Sequence, residues 1–440
     1  MKLAPLLLAA LAVGALAVGA LALSPPVSSA GAAAQDDAKP PSSREQKALL
    51  DALYACNPKK RKGRREMAAL LEPYASVPAP TGSKRKKLLK EITKRWSKER
   101  ELPGKTGEHW YWEDDRKGRY FLSGKLRKPK GLFIGLHGGG VGQADASGSF
   151  GSWSGPAGDR DWVSIYPQAI EATERGWTDS GTEEWILDLI DQARRTFDVP
   201  PDRVYIGGHS MGGYGSWVLG AHHADLFAAA VPSAGAPTPV YNADGSIHSI
   251  QEGVVPNLRN LPMCVYQSTD DPRVPPDVNQ AAVRQVESSK QSWGGYDDFE
   301  YWEVEDRGHA YPVGGTNALL ERIEGYVRDP YPAKIVWQPA LTWKTRFYWL
   351  EWPEPRIGAV VVAELDREEN RVAITSDGRS VAGLAVLLSP EVLDLEEEVV
   401  VSLDGTEVFR GVPETSWAVL CRTALTCDPG RTFEARIEVP

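Results

Sequence analysis

YIGGHSMGGY, residues 205–214, sets a single serine between glycines just after an apolar run that reads as a buried β-strand. A serine hydroxyl at its ordinary pKa attacks carbonyl carbon poorly, so it needs a base within hydrogen-bond reach and a backbone that holds it exposed. The run Gly208-His209-Ser210-Met211-Gly212 meets the second need: it follows the strand RVYIG and opens the apolar helix GGYGSWVLGA. A G-x-S-x-G at such a strand-to-helix turn lifts its serine out, while the glycines admit neighbouring backbone without a Cβ clash. The chain contains one such match.

Three further stretches bear on the chemistry. GLHGGG, residues 135–140, ends an earlier strand and enters a loop whose glycines can turn N–H groups toward a developing oxyanion. With the N–H of Met211, one of Gly138, Gly139 and Gly140 completes a two-donor hole, each donor contributing on the order of 3 kcal/mol in the transition state. YQSTDDPRVPP, residues 266–276, places Asp270 and Asp271 at the end of the apolar strand MCVYQ, whereas Asp277 reads as the cap of the following helix. His109 and His137 precede the serine and His209 lies within the turn itself. His222 and His223 fall on the following helix, where they are expected to face water. In the order serine, acid, histidine, only His309 in VEDRGHAYP follows the acid.

Outward from these stretches, short apolar runs alternate with amphipathic helices at 182–197, 211–223, 277–290 and 315–328. That alternation predicts an α/β domain over residues 106–330, with a mostly parallel sheet covered on both sides. After DPYP at 329–332 the rhythm changes to the two-residue alternation of half-buried antiparallel strands, predicting an all-β module over 333–440. Before the α/β domain, residues 35–105 read as a linker followed by short basic helices. Residues 44–105 carry eighteen Lys and Arg against seven Asp and Glu in a chain of net charge −9, so the remainder is strongly acidic. KKRKGRR and SKRKK read as a solvated face or as a contact for an acidic surface such as a polyanionic polysaccharide or anionic lipid. Residues 1–34, with Lys2 ahead of an apolar run from Leu6 to Leu23, read as an export signal or an uncleaved N-terminal anchor, which argues against a nucleic-acid partner. Of the four cysteines, Cys421 and Cys427 are spaced to close a small loop in an oxidising compartment, while Cys56 is left without a readable partner and Cys264 reads as a buried thiol. Trp153 and Trp177 lie near the expected mouth of the site, as stacking surfaces or ordinary packing. Glu183 and Glu184 line it or simply begin a helix.

GGHSMGG, LHGGG, STDDPRVP and EDRGHAYP, in that order, resemble the α/β-hydrolase superfamily, in its dienelactone hydrolase, phospholipase/carboxylesterase and prolyl-oligopeptidase-like branches. The resemblance covers residues 106–328. It implies Ser210 as nucleophile, His309 as base and, from the register of DPRVP, Asp271 as acid with Asp270 as the fallback. Gln267-Ser268 stands where such relatives carry His-Gly, a departure that leaves the acid intact. The implied activity is ester hydrolysis through an acyl-enzyme, with Met211 and Gly139 amides at the oxyanion and neither metal nor cofactor. The motifs do not specify the substrate, and the expected partner is a small-molecule or polysaccharide-linked ester. The rival readings are a serine peptidase using the same three side chains and a surface-attached binding module on a hydrolase scaffold.

Overall fold

The apolar runs between turn residues become the strands of one eight-stranded sheet. The computed structural model describes residues 39–112 and 117–440; the leader read over residues 1–34 lies outside them. In chain order the strands are β1 (Gly107–Trp112), β2 (Lys117–Gly124), β3 (Leu132–Leu136), β4 (Val163–Pro167), β5 (Val204–His209), β6 (Ala229–Ser233), β7 (Met263–Ser268) and β8 (Phe299–Val304). Across the sheet they lie β1-β2-β4-β3-β5-β6-β7-β8. From β4 to β8 every neighbouring pair is parallel, and the antiparallel pair β1 and β2 joins β4 at one edge. All residues of β3, β4, β6 and β7 are buried. Such strands need cover on both faces, which is why they read as unbroken apolar runs.

The expected helices form at Thr182–Phe197, Met211–His222, Asp277–Trp293 and Gly315–Glu321. The last is shorter than its apolar spacing suggests, because beyond Glu321 the chain tightens into i→i+3 bonds from Arg322 to Leu319 and from Ile323 to Leu320. One helix, Ala146–Asp159, has no counterpart in the sequence reading. Its composition, ASGSFGSWSGPAGD, opposes a helix at four glycines and Pro156. Asp145 caps it by accepting from the Ser147 N–H at 2.9 Å, and Ala146, Ser149, Trp153 and Ala157 bury one face. Packing against the sheet, with Trp153 fully buried, overrides local propensity.

The C-terminal part builds two sheets of five and four strands. Two features depart from an antiparallel all-β module: Arg371–Ser376 and Val399–Leu403 pair in parallel, and Trp417–Ala424 is a helix capped by Ser416. That helix buries Trp417, Leu420 and Cys421 against Leu49, Leu50, Leu53, Met67, Leu88 and Ile92 of the N-terminal helices Ser43–Ala55, Arg61–Leu71 and Gly82–Trp96. The junction is hydrogen-bonded as well, from the Trp417 N–H to the Val77 carbonyl at 2.7 Å and from the Ser416 hydroxyl to the Ala75 carbonyl at 2.8 Å. All four cysteines are free, so the loop expected between Cys421 and Cys427 is not closed. Cys421 instead points into this helical core, and Cys427 lies at its edge. Among the described residues no helix is long and apolar enough to cross a membrane.

A continuous core runs from Ile206 and Val265 of the central sheet to Trp337, Trp349 and Trp352 of the C-terminal part. Residues 39–440 accordingly form one compact unit. Buried charges span the same junction: Lys344 meets Asp225, and the Arg328 guanidinium grips both oxygens of Asp428 at 2.8 and 3.0 Å. Removing one member of such a pair strands the other in a medium that cannot solvate it. Asp428→Ala is therefore expected to lower unfolding stability by about 3 kcal/mol or more, read from urea denaturation followed by tryptophan fluorescence; an unchanged midpoint counts against a structural role for the pair.

Candidate active site

Ser210, Asp271, His309 and the glycine loop at 138–140 lie at or beyond the carboxyl ends of parallel strands, the edge where α/β sheets place ligands. Ser210 follows β5 and adopts φ 60° and ψ −121°, a strained conformation for a residue with a Cβ. Its backbone is held from both sides, with its N–H donating to the Ser233 carbonyl at 2.9 Å and its carbonyl accepting from the Tyr214 N–H at 3.0 Å. The flanking glycines have no substitute, since a Cβ on Gly212 would stand 2.2 Å from the Leu136 carbonyl oxygen and one on Gly208 2.6 Å from the same atom. The motif is thus a packing requirement as well as a turn signal.

His309, in the loop after β8, lies 2.9 Å from the Ser210 hydroxyl through Nε2 and 2.7 Å from Asp271 Oδ2 through Nδ1. Asp271 is buried, and its second oxygen accepts from the Arg273 and Val274 N–H groups at 2.9 and 3.0 Å. An ionised carboxylate only accepts, so Nδ1 carries the proton and Nε2 is left to accept from the serine. Asp270, the fallback acid, points elsewhere. Its Oδ1 accepts from the Gly308 and Arg307 N–H groups at 3.0 and 3.2 Å, bracing the loop that carries His309. The Ser268 hydroxyl and these N–H groups hold its carboxyl below the usual range.

Residues 155–316 match a family model described as "Putative esterase". The bifunctional acetylxylan esterase/xylanase XynS20E of Neocallimastix patriciarum is 24% identical over an alignment of 178 residues that covers 36% of this chain and 26% of the relative. The chain thus spans about a quarter of the length of the curated relative it matches. Among solved structures, LpqC, the poly(3-hydroxybutyrate) depolymerase of Bordetella parapertussis, aligns with TM-score 0.38 and 15% identity over 54% of this chain and 95% of that one. The acetyl xylan esterase of Aspergillus awamori aligns with TM-score 0.36 and 13% identity over 47% and 93%. Over residues 155–316 the chain is thus similar to esterases, on a fold whose mostly parallel central sheet is covered by helices.

Further residues beside this cluster come into view only in three dimensions. His137 opens the glycine loop after β3. Its Nε2 accepts from the Ala169 N–H at 3.0 Å, so Nδ1 bears the proton and donates to the Gly138 carbonyl at 2.8 Å. Burial holds the ring neutral by lowering its pKa. In a planar trans peptide a carbonyl turned toward the His137 ring leaves the Gly139 N–H pointing the opposite way. A Cβ on Gly138 would stand 3.3 Å from the Ser210 Cβ, so this peptide lies beside the serine, and one on Gly139 would meet the Gln143 carbonyl at 2.1 Å. Met211 is the first residue of its helix, and its N–H has no intrahelical acceptor. His209 packs between His309 and Tyr311, with ring centres 4.8 and 4.4 Å away, and its Nδ1 is 3.2 Å from the Ser233 hydroxyl. Burial, reinforced by His309, pushes its ring down to about 4. Gly138, Gly148, Ser149, Ser152, His209 and Tyr311 line a cavity of about 310 Å³ beside this cluster.

Trp153 and Trp177 are fully buried and offer no stacking surface; the Trp177 N–H donates to the His137 carbonyl at 3.2 Å. His222 and His223 do not face water as the sequence led one to expect, but are buried and share Glu183 Oε1, each at 2.8 Å. The helix Met211–His222 is covered on every side, so its last turn has no wet face. Burial opposes the Glu183 charge, yet the two imidazoles hold its carboxyl at about 2. For His223 burial wins over the bond to Glu183 and pushes the ring down to about 4. An unfolded histidine titrates near ~6.5, so below that pH the unfolded chain takes up a proton that the folded site refuses until about 4. Stability is therefore full above ~6.5 and falls across this window by on the order of 1 kcal/mol per pH unit. Urea midpoints at several pH values are expected to fall more steeply for the wild type than for His223→Gln; parallel curves would remove His223 from the account.

Proposed function

We propose that this protein is an exported serine esterase that hydrolyses carboxylic esters through an acyl-enzyme on Ser210. The observation that carries the reading is one imidazole bridging a hydroxyl at 2.9 Å and a buried carboxylate at 2.7 Å. In this mechanism Ser210 Oγ attacks the ester carbonyl carbon while His309 Nε2 takes its proton. Asp271 keeps the imidazole in the required tautomer and stabilises the imidazolium. The Met211 and Gly139 N–H groups receive the oxyanion, and His137 sets the orientation of the second. His309 then returns the proton to the departing alkoxide. Water, deprotonated by the same imidazole, attacks the acyl-enzyme, releasing the acid and restoring Ser210.

The cavity of about 310 Å³ lies at the small end for ligand sites, which suits a short acyl chain or a compact polar group. The relative with acetylxylan esterase in its name adds support for short acyl esters carried on a polysaccharide. Export rests on the leader pattern of residues 1–34.

Purified protein is expected to turn over p-nitrophenyl acetate and not aminoacyl anilides, and Ser210→Ala to abolish both turnover and labelling by a fluorophosphonate. Asp271→Asn should lower kcat by about 10⁴, whereas Asp270→Asn, which only loosens the loop, should cost on the order of 10- to 100-fold. Equal losses in the two variants would reverse the assignment of the acid. His137→Ala should lower kcat by about 10² with little change in KM, because the oxyanion donor acts in the transition state; a change confined to KM would place His137 in substrate binding instead.

A further inference from the structure

The N-terminal helix Gly82–Trp96 sorts its cations by face. Leu88, Ile92 and Trp96 are buried against the protein. The arginines flanking that seam are tied inward, Arg85 to Glu434 at 2.6 Å and Arg95 to Asp51 and Glu99. At 100° per residue, Lys87, Lys90 and Lys94 fall within about 60° of one another on the opposite face. Lys86 lies at the edge of this face and Lys98 two residues past the helix end, and all five are exposed with no ion-pair partner among the described residues. From Lys87 to Lys94 the row runs about 10 Å, with roughly one charge per turn. The like charges of Lys87, Lys90 and Lys94 on one helix face repel one another, so the row carries a standing cost that a matching polyanion would relieve.

We propose that this lysine face docks the protein on a linear carboxylated polysaccharide, the polymer that carries the ester. The link to an ester rests on the function proposed above; the binding itself does not. Two observations select this partner among polyanions. No large apolar side chain stands exposed on the three N-terminal helices, so the face lacks the apolar insertion that would add to charge attraction at a lipid surface. It also presents no aromatic ring on which nucleic-acid bases would stack, since Trp96 is buried. With the rest of the chain strongly acidic, a polyanion is repelled elsewhere and oriented onto this face.

The test uses the full chain, with Ser210→Ala in parallel, on immobilised polygalacturonate, uncharged dextran and phosphatidylserine vesicles. Both proteins should bind polygalacturonate alone at about 0.05 M salt and release it near 1 M, where screening acts within about 3 Å. The triple variant Lys87→Glu/Lys90→Glu/Lys94→Glu should bind about 100-fold more weakly. It should keep wild-type turnover of p-nitrophenyl acetate and show a raised KM on an acetylated polyuronate. Absence of retention at low salt, equal retention of the triple variant, or preference for the vesicles would overturn the proposal. Polyuronate binding without any ester turnover would instead sink the esterase reading and leave the docking face standing.

Discussion

The architecture around the site depends on one backbone constraint, the positive φ of Ser210. A residue with a Cβ stays in that region only where its surroundings leave it no alternative. Here β5 enters from one side and the helix Met211–His222 leaves on the other, while the Ser233 carbonyl and the Tyr214 N–H fix the peptide between them. Close approach of the Leu136 carbonyl to Gly208 and Gly212 then brings the end of β3, with its glycine loop, against the serine. The serine and the glycine loop are thus positioned by the same contact.

The second organising feature is the interlock between chain ends. The N-terminal helices find their apolar partner in the helix Trp417–Ala424, more than three hundred residues later in the chain. Buried ion pairs from Arg328 and Asp225 reach Asp428 and Lys344 across the junction with the C-terminal sheets. Charges so placed contribute less by their attraction than by the cost of separating them. The same packing consumes the inward arginines of the basic helix and leaves its lysines to solvent.

The site shows how far residue pattern reaches. Ser210, Asp271 and His309 were legible because each sits at a strand end marked by glycine or proline, in a chain order that only one arrangement of the motifs satisfies. Asp270 and Asp271 differ by one position in a turn, and what separates them is which oxygen the His309 ring meets and which braces the Gly308 peptide. The hydrogen bonds of His137 reach its neighbour Gly138 and a strand end thirty-two residues away, and neither bond leaves a mark in sequence spacing. His222 and His223 were misjudged because two adjacent imidazoles at a helix end look solvent-facing until the carboxylate of Glu183 is brought over them.

By itself the sequence determined the parallel sheet, because strands buried on both faces must be apolar throughout, and the elbow, because glycine alone leaves room for the backbone that crosses there. It also determined the separation of a basic N-terminal region from an acidic body. The tertiary structure decided what depends on partners distant in the chain: the helix Ala146–Asp159, held against the sheet by a buried tryptophan despite its glycines, the shared core of the two chain ends, and the peptide orientation set by His137. Each of these is stabilised by burial or hydrogen bonding to residues that local pattern does not name, so only the folded chain supplies the energy that selects it.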